Sequence, residues 1–122
     1  MTDPIYGDVI SRYTRAQAIE DGLLFEVTDA PEAAALFKYP AAITVGLRAA
    51  LQKGQGRILD TYNARLFDVF YMSILASQLQ KEETADLFYK CRVGGRSLKL
   101  WANCGPDDSG APCMTFGFPE DR

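Results

Sequence analysis

Cys91, Cys104 and Cys113 are the first residues to test for chemistry, since thiolates serve both as metal ligands and as nucleophiles. A structural zinc site takes four ligands, usually in closely spaced pairs. These cysteines are 13 and 9 residues apart and the chain has no histidine to complete a set. The missing histidine also removes the commonest general base, so no thiol has an activating partner in view. The expectation is a protein without catalytic residue, metal or cofactor, and so not an enzyme. Strand alternation groups Cys91 and Cys104 with apolar neighbours as small core side chains. It puts Cys113 on the opposite side, where it is expected to be exposed.

The paired carboxylates Glu20-Asp21, Glu82-Glu83 and Asp107-Asp108 fall at expected helix ends and turns, where solvated acids are usual. A general acid–base pair would need burial there. Gly54-Gln55-Gly56 and Gly94-Gly95-Arg96 fit neither a P-loop nor a dinucleotide fingerprint and read as turns. More suggestive is the set Phe88, Lys90, Arg92, Lys99 and Trp101, which alternation places side by side on one sheet face, with Arg96 close by. Stacking rings beside phosphate-neutralising cations are how several sheet platforms hold single-stranded nucleic acid.

The elements that must position these residues are legible from caps and periodicity. Thr14 with Gln17 is a capping box opening a helix over Arg15 to Asp21, with Gly22 to end it. Leu23 to Val27 alternates as a strand. Asp29, with Pro31 in the first turn, opens a short helix through Ala33 to Phe37. Pro40 suits the first turn of a third helix, Ala41 to Gln52. Residues Arg57 to Tyr62 read equally as strand or loop. Asn63 is the expected cap of the longest helix, Ala64 to Gln80, whose Phe67, Phe70, Tyr71, Ile74 and Leu75 form a broad stripe facing a core. The period then changes to two. Leu87 to Val93, a Gly94-Gly95 turn, Leu98 to Cys104, and Met114 to Phe118 read as a meander. The predicted class is α+β: a small antiparallel sheet of three or four strands against one long and two or three short helices.

At 122 residues, with 48% hydrophobic and 24% charged side chains, the chain has the usage of one globular domain spanning 1–122. Its most apolar stretch, Leu66 to Leu79, is broken by Asp68, Ser73 and Ser77, so no membrane span is expected. An acidic Met1-Thr2-Asp3-Pro4 start and an odd cysteine count point to a cytoplasmic protein with reduced thiols. The net charge of −3 is uneven, for residues 87–104 carry four bases and no acid between two acidic segments.

The run Ser11-Arg12-Tyr13-Thr14-Arg15-Ala16-Gln17-Ala18-Ile19-Glu20-Asp21-Gly22 resembles a family of small uncharacterised proteins. These are carried on bacterial plasmids, phages and integrated conjugative elements. Tyr39 to Thr44, Arg65 to Met72, Leu98-Lys99-Leu100 and Cys104 to Asp108 extend the resemblance in the same order over about residues 8–121. Members typically carry tryptophan where Phe67 stands. No catalytic residue is known for the family, so none is carried over. What the resemblance implies is context: such elements carry small acidic proteins that block host defences, including anti-CRISPR and antirestriction proteins. The leading expectation is therefore a non-enzymatic accessory protein that binds a host protein complex. Glu20, Asp21, Asp107 and Asp108 would fill a nucleic-acid-binding groove on the target. The alternative is a nucleic-acid-binding module using Phe88, Lys90, Arg92, Arg96, Lys99 and Trp101.

Overall fold

The computed structural model describes residues 14–27, 30–54, 61–80 and 84–122, and in them the α+β class is present. The capping box opens α1 (Arg15–Glu20). The Thr14 hydroxyl accepts the Gln17 N–H at 3.0 Å, and the Gln17 side chain accepts the Thr14 N–H at 3.1 Å. Gly22, at φ 76°, ends the turn in a conformation that L side chains rarely adopt. Next come β1 (Leu24–Glu26) and α2 (Pro31–Ala34), with Pro31 in the first helical turn. Asp29, the expected cap of α2, lies outside the described residues; Ala30 holds the cap position without a side-chain bond.

The predicted helix Ala41–Gln52 is instead a strand, β2 (Ala41–Thr44), running straight into α3 (Val45–Gln52). All four residues of β2 are buried, because the strand lies inside the sheet with cover on both faces. Such a strand reads as a continuous apolar run, which periodicity cannot distinguish from buried helix. Thr44 marks the junction: its extended backbone ends the strand and its hydroxyl accepts the Leu47 N–H to start α3.

The long helix is α4 (Tyr62–Leu79). Thr61 caps it in place of Asn63, through a hydroxyl that accepts the Ala64 N–H at 3.1 Å. Most of the stretch left open between strand and loop lies outside the described residues, and Tyr62 itself is helical. The meander forms β3 (Asp86–Val93), β4 (Arg96–Pro106) and β5 (Pro112–Gly117), with Gly94 and Gly95 both at positive φ in the hairpin turn.

The sheet has five strands in the order β1-β2-β5-β4-β3, so it is larger than predicted. It is also mixed rather than antiparallel, because β2 runs parallel to β5. Strand β1 joins through β2 and not through the meander. On the inner face lies the core, where Ile43, Leu47, Leu51, Leu66, Val69, Phe70, Leu100 and Phe116 are fully buried. Phe37, Phe70 and Phe116 pack there in edge-on and tilted pairs, with ring centroids within 5.4 Å of one another. Burial of this kind is the main source of a small domain's stability.

One buried cation is structural. Arg65 of α4 is 4% exposed and donates to the carbonyls of Leu51 at 3.2 Å and Lys53 at 2.6 Å, at the C-terminal end of α3. A guanidinium there satisfies carbonyls that the helix leaves unbonded and meets the negative end of its dipole.

The outer face has a partial second layer. Arg15 of α1 reaches across β5, donating to the Thr115 hydroxyl and the Met114 carbonyl at 2.8 and 2.9 Å. From the C-terminal side a 3₁₀ turn, Pro119–Asp121, folds back over Gly117. Asp121 accepts bonds from the Thr44 hydroxyl and the Phe118 N–H at 2.8 and 2.9 Å, in space that a side chain at Gly117 would fill.

Candidate interaction surface

Helix α4 presents two different apolar sides. Leu66, Val69 and Phe70 are buried on the sheet, and Ser73 joins them by donating to the Phe70 carbonyl. Phe67, Tyr71, Met72, Leu75 and Leu79 are exposed, Leu79 at 83%. The sequence predicts Phe67, Tyr71 and Leu75 in the core; the structure puts them outside it. The reason is geometric: one sheet covers only one side of a helix, and no described element packs on the other. Phe67 and Tyr71 stack at 6.1 Å between ring centroids, so they extend this open side as a fixed aromatic surface. Nine large hydrophobic side chains are exposed among the described residues, and five belong to this one helix. A cluster of that kind, unlike scattered exposed residues, is a candidate interaction surface.

The basic-aromatic set is divided by the fold. Register pairs Phe88 with Trp101, Lys90 with Lys99 and Arg92 with Ser97, so these residues do share the outer face. Arg96 pairs with Val93, which is buried on the inner face, and so it stands away from the others at the hairpin tip. Nor do the two rings form an open platform. Phe88 is 53% exposed, while Trp101 is 7% exposed, its indole N–H donating to Asp86 at 2.9 Å. Asp86 also accepts from Asn103 at 3.0 Å and pairs with Arg122 at 3.0 Å, and the Arg122 guanidinium lies 5.8 Å from the Phe88 ring centre. These contacts hold the Asp86 carboxyl below the usual carboxylate range, the Trp101 bond contributing most. Trp101 serves as a structural clamp here.

The acidic set falls at opposite ends of α1. Asp108 accepts the N–H groups of Arg15 and Ala16, both at 2.9 Å, and so caps the helix from a loop distant in sequence. Asp107 accepts from the Ser109 N–H and hydroxyl and the Ala111 N–H, which lowers its pKa. Glu20 and Asp21 sit at the far end of α1, exposed. With Glu26, the two aspartates line a groove of about 260 Å³ that is also bounded by Arg15 and Ile19. Glu82 and Glu83 lie outside the described residues.

The cysteine expectation is overturned at two of three positions: Cys91 is buried as predicted, but Cys104 is exposed and Cys113 is buried. Cys104 keeps the inner parity of Ala102, yet it reaches beyond the core to the mouth of a mainly apolar cavity of about 160 Å³ under the end of α4. Cys113 keeps the outer parity but lies beneath Arg15, Ala16 and Ile19 of α1. Burial raises the Cys91 thiol to about 11 and raises Cys113 as well. Among the described residues no three His, Cys, Asp or Glu side chains are grouped to hold a metal ion, and no described helix is long and apolar enough to cross a membrane.

The chain matches no family model, no curated protein and no solved structure. Its own surface must carry the functional reading. Sequence reasoning missed the outer side of α4, although a signal was present: this helix is apolar around nearly its whole circumference. Such a helix is either buried on all sides or covered by something else.

Proposed function

We propose that this chain is a non-enzymatic binding protein that docks on another protein through the outer side of α4. The carrying observation is the contiguous exposure of Phe67, Tyr71, Met72, Leu75 and Leu79 on one helix. Aromatic and methionine side chains are enriched in the buried centres of protein interfaces and charged ones depleted, and Asp68 is the one ionisable group among these residues apart from Tyr71. The further proposal, that the target is a host complex and the protein an accessory of a mobile element acting as a defence inhibitor of anti-CRISPR or antirestriction type, rests on the sequence resemblance alone. Glu20 is exposed at the far end of α1 and would serve as a polar rim for such a contact, whereas Asp107 and Asp108 bond within the fold.

The nucleic-acid alternative is weaker on geometry, because a stacking platform needs open rings and Trp101 is enclosed. Affinity capture from a bacterial lysate compares the two readings. The wild-type chain should retain a protein that the Tyr71→Ser, Leu75→Ser double variant loses at unchanged thermal stability. Equal retention by both chains, or recovery of nucleic acid alone, would overturn the proposal.

A further inference from the structure

The sheet ends in β3, an eight-residue strand with no neighbour on its outer edge among the described residues. Alternate N–H and C=O groups along such an edge point away from the sheet and can pair with another chain. Two are already engaged: the Asp86 carbonyl accepts the Thr84 hydroxyl at 2.6 Å, and the Arg92 carbonyl has a long contact of 3.7 Å from the Cys91 thiol. The opposite edge, β1, is only three residues long. Of the two edges of this sheet, β3 is the one with room for a docked strand.

A groove of about 320 Å³ opens between α4 and β3, bounded by Asp68 and Met72 of α4 on one side and by Lys90, Cys91 and Arg92 of β3 with Ser97 of β4 on the other. Its two walls differ in chemistry. Toward α4 lies the exposed Met72, with the buried Cys91 at the floor, and these would meet apolar side chains. Toward the outer face lie Lys90 and Arg92, with Lys99 directly across the ladder from Lys90. Like charges directly opposite on a ladder are destabilising, and neither lysine has an ion-pair partner among the described residues. Antiparallel pairing of β3 with β3 of a second copy about Lys90 or Cys91 would bring the Lys90 and Arg92 cations together, which disfavours those registers. The registers about Phe88 or Tyr89 would need Asp86, a carboxylate already engaged by Trp101, Asn103 and Arg122. A strand of opposite charge has no such barrier.

We propose that the β3 edge takes up an extended, acidic segment of another protein as a sixth strand, its apolar residues against Met72 and Cys91 and its alternate carboxylates beside Lys90 and Arg92. The inference rests on the proposed protein-binding function and deepens it, since the groove borders the exposed side of α4 through Met72. Main-chain bonds to β3 supply affinity in this mode, and the alternation of apolar and acidic positions supplies specificity.

The test uses the full chain and two fluorescein-labelled peptides of roughly nine residues, one alternating valine with glutamate and one alternating valine with lysine. By anisotropy the glutamate peptide should bind with Kd below about 100 μM, and the lysine peptide at least about tenfold more weakly. Lys90→Glu with Arg92→Glu should reverse that preference. Amide exchange on the wild-type chain, which needs no variant to fold, should show new protection within Leu87–Val93 when the glutamate peptide is bound. Equal binding of both peptides, binding that protects no β3 amide, displacement by a single-stranded oligonucleotide, or no binding would each overturn the inference. The inference and the reading it rests on are separable. If a captured protein is lost with Tyr71→Ser, Leu75→Ser but retained by Lys90→Glu, Arg92→Glu, the α4 surface stands and the β3 edge does not.

Discussion

The inner and outer sides of α4 have nearly the same composition and opposite fates. Leu66, Val69 and Phe70 go into the core, while Phe67, Tyr71, Met72, Leu75 and Leu79 stay at the surface. Composition therefore says that both sides of this helix want cover, and only the tertiary arrangement says which one the chain itself covers. The side left over is the one proposed to take a partner.

The largest expected effect sharpens this contrast. Phe70→Ala removes a fully buried ring from the Phe37–Phe116 cluster and should cost about 3–5 kcal/mol in a urea melt. The adjacent Tyr71→Ser should change stability by less than about 0.5 kcal/mol. Similar losses at the two positions would break the comparison. Arg65→Met comes next. It leaves the Leu51 and Lys53 carbonyls without their guanidinium and should cost on the order of 2 kcal/mol, measured by the same melt.

How much of this was legible depended on how local the cause was. Thr14 with Gln17, Gly22, and Gly94-Gly95 act within a few residues of themselves, and the elements they punctuate are where the sequence puts them. Ala41–Thr44 was misread because a strand buried on both faces has no period of its own. The cysteines teach a finer point. Alternation assigned all three to the correct face, but exposure depended on what lies over that face. Nothing near Cys113 announces that α1 covers it, because the carboxylate docking α1 there is Asp108, more than ninety residues from the N–H groups it caps. Of the candidate sites, the register of the basic strip was legible, but the enclosure of Trp101 by Asp86 was not.

Smaller effects probe the other surfaces. Asp108→Ala should cost about 1 kcal/mol through the lost cap, and Asp108→Asn somewhat less, since an amide keeps one of the two accepting oxygens. Equal effects would mean that charge, not capping, is its role. Native thiol labelling should modify Cys104 quickly and Cys91 and Cys113 slowly; rapid labelling of Cys113 would show that α1 does not cover the outer face. Asp86 gives a pH signature. Its folded pKa is depressed, so its contribution is present above the usual carboxylate range and is lost as pH falls through the lower folded value. The acid limb of a stability–pH curve should therefore flatten in Asp86→Asn, and an unchanged limb would contradict the clamp.

The most direct test of the central claim is photocrosslinking in living bacteria, with a benzophenone amino acid placed singly at Tyr71, at Leu75 and, as the opposing surface, at Glu20. The account predicts a discrete protein adduct from positions 71 and 75 at a yield well above that from position 20. Adducts from position 20 with none from 71 or 75 would place the partner on the acidic side of the molecule and contradict the assignment of α4 as the binding surface.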